Sequence, residues 1–199
     1  MIKVIYWFFK ITMPYSKEHK DLTRTKILKS AFQLFTDKGF EGVTVNTLME
    51  NCGLTRGAFY AHFSSKSDLY SESLKFAASS SMLLELKPTN TSNKVWLGQL
   101  LDEYLSLNHV NGVKPCSLAF LATDIVTQDQ QAKETYTGVY ERMNKAIKTY
   151  TCCNQDEILS VTAMIIGAVA IARTLQDQKT IFKLLKSCRA EAGRILGGI

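Results

Sequence analysis

The chain has little of what breaks helices: 3 prolines and 11 glycines in 199 residues. Long helices therefore meet little opposition from composition. No stretch of alternating apolar and polar residues marks a half-buried strand. The 5 cysteines, Cys52, Cys116, Cys152, Cys153 and Cys188, are odd in number and contain no Cys-x-x-Cys pair. They read as reduced thiols of a cytoplasmic protein rather than a disulfide framework. The vicinal pair Cys152-Cys153 is able to meet a soft metal but has no further ligands beside it. The 3 histidines, His19, His62 and His109, stand singly, so no metal cluster is legible. Paired carboxylates, a nucleophile motif and a phosphate-binding loop are all missing, which speaks against an enzyme and against a bound cofactor.

What is present is ordinary for a globular protein: 46% hydrophobic and 21% charged residues. A folded chain of this size buries roughly 70% of its extended surface, so it needs no covalent staple. The net charge is +6, and residues 1–70 carry ten Lys/Arg against six Asp/Glu. A basic excess gathered in the first third mildly favours a polyanion without naming one.

The opening MIKVIYWFFKITM holds an apolar and aromatic run from Val4 to Phe9. It is far shorter than the ~20 residues that span a bilayer, and no small-residue cleavage site follows it. Two readings stay open: a leader ahead of a working start at Met13, or a hook that docks on a partner. Residues 1–15 are therefore set apart as an N-terminal extension, expected to be poorly ordered.

Apolar residues then recur every three or four positions, the mark of helices, and the expected fold is all-α with about nine of them. The first runs from Ser16 or Asp21 to Lys38, with Ile27, Ala31, Leu34 and Phe35 on one face and Gly39 as its stop. Thr44 suits the N-cap of a helix to Cys52, Gly53 stops it, and Thr55 suits the cap of a helix to Phe63. Ser65-x-x-Asp68 is a capping-box pattern opening a helix to Leu86. Further helices are expected over 92–108, 116–127, 129–150, 156–175 and 178–196. The centre of the penultimate one, VTAMIIGAVAIA (161–172), is apolar nearly all round and too short to cross a membrane, so protein must cover it.

The turn CGLT between two short helices fits a helix-turn-helix unit over about 44–63. Phe59 and Phe63, four apart, point inward with Leu54. Arg56, Gly57, Tyr60 and Ala61 fall on the other face, where little bulk lets the backbone approach a groove. Arg56 has the donors for a guanine edge or a phosphate. Tyr60, His62 and Lys66 have donors for flanking phosphates. A plain helical hairpin with core aromatics is the alternative.

The stretch TRTKILKSAFQLFTDKGFEGVTVNTLMENCGLTRGAFYAHFSSKSDL, Thr23 to Leu69, resembles the DNA-binding domain of the TetR/AcrR family of bacterial transcription regulators. The matching residues are Arg24, Ile27, Leu28, Gly39, Phe40, Thr44, the run GLTRGAFYAHF and Lys66. Leu48-Met49 and Cys52-Gly53 stand where the family usually has Ile-Ala and Ala-Gly. The resemblance implies DNA contacts at Thr23, Arg24, Thr44, Thr55, Arg56, Gly57, Ala58, Tyr60, His62 and Lys66. It also implies a division into a DNA-binding domain, 16–70, and an effector-binding and dimerisation domain, 71–199. The implied protein is a cytoplasmic homodimeric repressor on double-stranded DNA with a palindromic operator, released by a small-molecule effector.

For the second domain, Phe76, Trp96, Leu100, Tyr104, Phe120, Tyr136, Tyr140, Met143 and Met164 are candidates to line an apolar pocket, though plain core explains such a stripe equally. Ile158, Val161, Ile165, Val169, Ile181, Leu184, Leu185 and Cys188 are candidates for the dimer interface, where Gly167, Ala168, Ala170 and Ala172 permit close approach. Cys116, following Lys114-Pro115 near a helix start, is a candidate redox thiol. The local KPCSLAFLATDI resembles a segment that carries a reactive cysteine in some electrophile-sensing family members, and a buried structural thiol is the alternative. An all-α enzyme and a protein held at a membrane by its aromatic N-terminus are the rivals of another class.

Overall fold

A computed structural model describes residues 17–80, 87–112 and 116–199. The expectations for residues 1–15 and for a helix reaching Leu86 fall on or run into residues outside these. Ten α-helices and one 3-10 turn, with no strand, are found among the described residues.

Helix α1 (Lys17–Lys38) buries Ile27, Leu28, Ala31, Phe32 and Phe35. It ends at Gly39, whose φ of 69° closes the helix as its N–H donates a hydrogen bond to the Phe35 carbonyl. Helix α2 (Val45–Asn51) begins with a reciprocal cap: the Thr47 amide donates to Thr44 Oγ1 and the Thr44 amide to Thr47 Oγ1, both at 3.1 Å. Gly53, φ 63°, makes the turn into α3 (Arg56–Tyr60). That helix has five residues and stops short of Phe63. Thr55 occupies its N-cap position, but the hydroxyl makes no capping bond.

Helix α4 (Lys66–Ser80) opens with the Asp68 amide on Ser65 Oγ at 3.0 Å, while the Asp68 carboxylate accepts from Ser64 rather than from the Ser65 amide. It packs along α1 on one side and along the long helix of the second bundle on the other.

That bundle contains α5 (Asn93–Tyr104), α6 (Leu107–Asn111), α7 (Ser117–Phe120), the 3-10 turn Asp124–Thr127, α8 (Gln130–Tyr150), α9 (Gln155–Thr174) and α10 (Gln178–Ile195). The single helix expected over 92–108 is broken at Leu105, because Ser106 caps a new helix on the His109 amide at 3.0 Å. The helix expected over 116–127 is α7 followed by the 3-10 turn.

Helix α9 has 20 residues, length and composition enough to cross a membrane, as its 161–172 centre alone has not. Eight of them, including Ile158, Thr162, Ile165 and Val169, are buried against the chain itself, and α8 and α10 pack along it.

Candidate nucleic-acid interface

The helix-turn-helix is built around Phe59 and Phe63, 0% and 3% exposed, with ring centroids 5.8 Å apart. They hold α3 from below, so its other side faces outward. Thr55, Arg56, Gly57 and Tyr60 are exposed there, with Ala58 and His62 half-buried. Tyr60 is 57% exposed and leans edge-on against Phe59, which leaves its hydroxyl in solvent. A Cβ added at Gly57 would meet nothing nearer than Thr55 Oγ1 at 3.9 Å, so the fold itself makes no demand for glycine.

Two basic residues implied as DNA contacts have internal partners. Arg24 Nη2 pairs with Glu72 at 2.8 Å, its Nη1 donates to the His62 carbonyl at 3.2 Å, and its guanidinium lies 4.5 Å from the Phe63 ring centroid. Lys66 Nζ donates to the Phe40 and Val43 carbonyls at 3.0 and 3.1 Å and sits 3.9 Å over the Phe40 ring. Both head groups tie the unit together rather than reach outward.

Thr23 is half-buried on α1, and Thr44 is exposed with its hydroxyl engaged in the α2 cap. The His62 imidazole is held below its ordinary value of 6.5 by burial first, then by Lys20 and Arg24, and its Nδ1 has no partner. All three effects favour the neutral ring. Exposed Asn46 and Thr47 on α2 extend the same polar surface, and sequence reasoning had not singled them out. Their signal was present, as polar positions beside the buried Leu48 and Met49.

In the second bundle the pocket candidates all belong to, or pack on, one apolar core. Leu100 and Met143 are buried within it; Phe76, Trp96 and Met164 are half-buried. The phenols are engaged: Tyr104 with Cys116 Sγ at 2.9 Å, Tyr136 donating to the Leu118 carbonyl at 2.7 Å, and Tyr140 with Thr162 Oγ1 at 3.0 Å. Phe120 lies under the Arg173 guanidinium at 4.0 Å. Trp96 Nε1, His109 Nε2 and Asn144 Oδ1 are buried without partners.

Open surface hollows lie elsewhere, along the start of α1 (Lys17 to Thr25) and between α4 and α8 (Lys75, Gln131, Arg142). Neither contains any of the nine candidates.

Cys116 is buried, and burial pushes its thiol up despite the Tyr104 bond. Of the dimer candidates, Ile158, Val161, Ile165, Val169, Ile181 and Leu185 are buried in their own chain, with Leu184 and Cys188 half-buried. The large apolar residues left outward on these helices are Leu159, Ile171 and Phe182, which are 37%, 51% and 60% exposed.

A helix-turn-helix unit joined through α4 to an all-α bundle is thus the class of protein that the fold defines. Residues 27–72 match the family model for bacterial regulatory proteins of the tetR family. The uncharacterized HTH-type transcriptional regulator YerO of Bacillus subtilis is 26% identical over 130 residues, 61% of this chain and 43% of that protein. The HTH-type transcriptional regulator AcrR of Shigella flexneri is 38% identical over 72 residues, 36% of this chain and 34% of that one. The matched stretches thus span less than half of either relative. Among solved structures, reduced NemR of E. coli superposes with a TM-score of 0.75 at 15% identity, covering 89% of this chain and 98% of its own, a likeness of fold. Residues 27–72 thus carry the DNA-binding domain of the tetR family, and the relatives and the likeness of fold support the TetR/AcrR family for the chain.

Proposed function

We propose that the protein is a DNA-binding transcriptional repressor, without catalytic activity, that works as a cytoplasmic homodimer on a palindromic operator. In this reading residues 16–70 bind DNA, residues 71–199 bind an effector and the partner subunit, and α4 serves both. The supporting observation is Gly57. A glycine inside a helix costs about 1 kcal/mol relative to alanine, and here no neighbour requires it. It sits exposed between Arg56 and Tyr60, where a missing side chain brings the backbone close to a groove. The relatives' own descriptions as HTH-type transcriptional regulators agree with it.

Release by a small molecule fits the unpartnered polar atoms Trp96 Nε1, His109 Nε2 and Asn144 Oδ1 inside an otherwise apolar bundle, since buried polar groups without partners are costly. Binding there would shift operator affinity only through different affinities for two states of the protein. A thiol switch at Cys116 has less support, because the reactive thiolate is the form that burial disfavours.

The test is selection of genomic fragments by the purified full chain at fixed salt. A recovered palindrome with half-sites about one helical turn apart, roughly 34–36 Å, is expected. Recovery of DNA without common sequence would overturn the reading.

A further inference from the structure

The geometry points to Asp124 as a positioning residue for DNA binding: a carboxylate of the second bundle that fixes the loop in front of α2. This rests on the proposed function, and it goes further in naming the joint that sets the reading unit. Asp124 stands on the 3-10 turn after α7, remote in sequence from the helix-turn-helix. Its Oδ1 accepts the Phe40 amide at 3.2 Å, and its Oδ2 accepts the Tyr70 hydroxyl at 2.8 Å. Both oxygens are thus spent across the boundary, one on the α1–α2 loop and one on α4.

Phe40 is gripped from every side. Its amide goes to Asp124, its carbonyl to Lys66, and its ring stacks on Phe35 and meets the Tyr70 ring edge-on, with centroids 5.9 and 5.4 Å apart. Three residues on, Val43 is 1% exposed and shares the Lys66 ammonium, and Thr44 caps α2. A displacement of Asp124 is therefore delivered to the first helix of the reading unit with little slack. Tyr70, 0% exposed, is held as a protonated donor, its phenol raised far above the usual range by burial and by Asp124. Gly39 completes the fit: its missing Cβ would lie 3.3 Å from Asp124 Oδ1, at a φ of 69° that already favours glycine.

On the other side the carboxylate is connected to the bundle interior. The turn follows α7, whose Leu118 carbonyl takes the Tyr136 hydroxyl and whose N-cap, Cys116, takes Tyr104. Two further ties lie beside the joint: Ser67 donates to Asp129, and Arg173, stacked on Phe120, pairs with Asp37 at 3.2 Å. These two are exposed, so Asp124, whose donors are a buried phenol and a half-buried amide, carries most of the coupling.

The experiment uses the full chain with Tyr70→Phe, Asp124→Ala and Asp124→Asn. Amide hydrogen exchange is followed over Phe40–Val43, together with affinity for the selected operator. Tyr70→Phe and Asp124→Ala are expected to speed exchange over Phe40–Val43 while leaving α9 unchanged, and to weaken operator binding about five- to tenfold. Asp124→Asn still accepts from Phe40 through Oδ1 and offers its amide to the Tyr70 oxygen, so it recovers most of both. Faster exchange with operator affinity within about twofold of the parent would reduce Asp124 to a structural tie. Unchanged exchange in Asp124→Ala would remove the joint itself, and should that variant not fold, Tyr70→Phe alone decides by the same criteria. A parent chain that selects no DNA overturns the proposed function and the DNA role of Asp124, and the exchange data then still judge the joint.

Discussion

Arg24 and Glu72 form an ion pair at 2.8 Å that ties α1 to α4, with side chains 33% and 29% exposed. An isolated pair this exposed would be worth little. This one is reinforced by the bond to the His62 carbonyl and by the stack on Phe63. Arg24→Ala is therefore expected to destabilise the protein by about 1–2 kcal/mol, read in urea unfolding. Arg24→Lys should recover little of it, since Arg24 reaches Glu72 and the His62 carbonyl from two separate guanidinium nitrogens while its plane lies on Phe63, and a single ammonium nitrogen has no such fork. Full stability in Arg24→Ala would return Arg24 to the list of free DNA contacts.

Lys66 gives a second case, in which the measurement is salt dependence. A lysine on a phosphate contributes about one unit to the slope of log affinity against log salt. Because the Lys66 ammonium is spent on the Phe40 and Val43 carbonyls, Lys66→Met should leave that slope nearly unchanged. It should instead lower stability by about 1–2 kcal/mol, the cost of two carbonyls losing a charged donor. A slope reduced by a full unit with normal stability would reverse the assignment.

Arg56 and Gly57 should behave in the opposite way, because neither has internal work to do. Arg56→Ala is expected to cost about 1–3 kcal/mol of operator affinity if it reads a base, with the melting temperature unchanged. Gly57→Ala is the sharper variant. It should raise stability by up to about 1 kcal/mol through helix propensity and still weaken operator binding, because a methyl group would stand at the groove. Equal operator affinity in Gly57→Ala would remove the main support for DNA contact by this face.

These contrasts show where the sequence was legible. Gly39 and Gly53 punctuate helices and Phe59 and Phe63 recur at helical spacing, so local rules sufficed for the reading unit. The fate of Arg24 and Lys66 was not legible. A basic side chain in a motif has the same letter whether its head group points out or turns back, and Glu72 lies 48 residues from Arg24. Asp124 was hidden for the same reason, 84 residues from Phe40. The pocket candidates were legible as an apolar set, but spacing could not tell lining from filling. The break at Leu105 was readable only from Ser106 as a cap between two good helical stretches.

His109 supplies a pH dependence. Burial holds its imidazole below the ordinary 6.5, with Glu103 opposing weakly, and its ring lies 4.6 Å from that of Tyr104. A histidine depressed in the folded state binds its proton more readily when unfolded, so stability rises with pH through that window. Its contribution is full above about 6.5 and is lost as pH falls from there toward the folded-state value. His62 adds in the same direction. Melting temperature should therefore drop between pH 7 and pH 5.5, and His109→Asn should flatten part of that drop. A drop of the same size in the variant would assign the dependence elsewhere.

In the proposed homodimer, one side of α9 and α10 would meet the other subunit. A helix apolar nearly all round gives no sequence signal for which face its own core takes, and of the dimer candidates Ile158, Val161, Ile165, Val169, Ile181 and Leu185 are buried within the chain's own core. Replacing Ile165 with Ala should thus cost about 2–4 kcal/mol of folding stability, as a buried large-to-small change does. Leu159, Ile171 and Phe182 are instead exposed, on two helices that pack along each other, and large apolar side chains left in solvent are candidates for contact with a partner. Phe182→Asp combined with Ile171→Glu should yield a monomer in sedimentation at micromolar concentration, with helix content and melting of the reading unit retained. That monomer should also lose most of its affinity for a palindrome while keeping weak binding to a half-site, because symmetry requires two reading helices held a fixed distance apart. A double variant that remains dimeric would exclude this face as the interface.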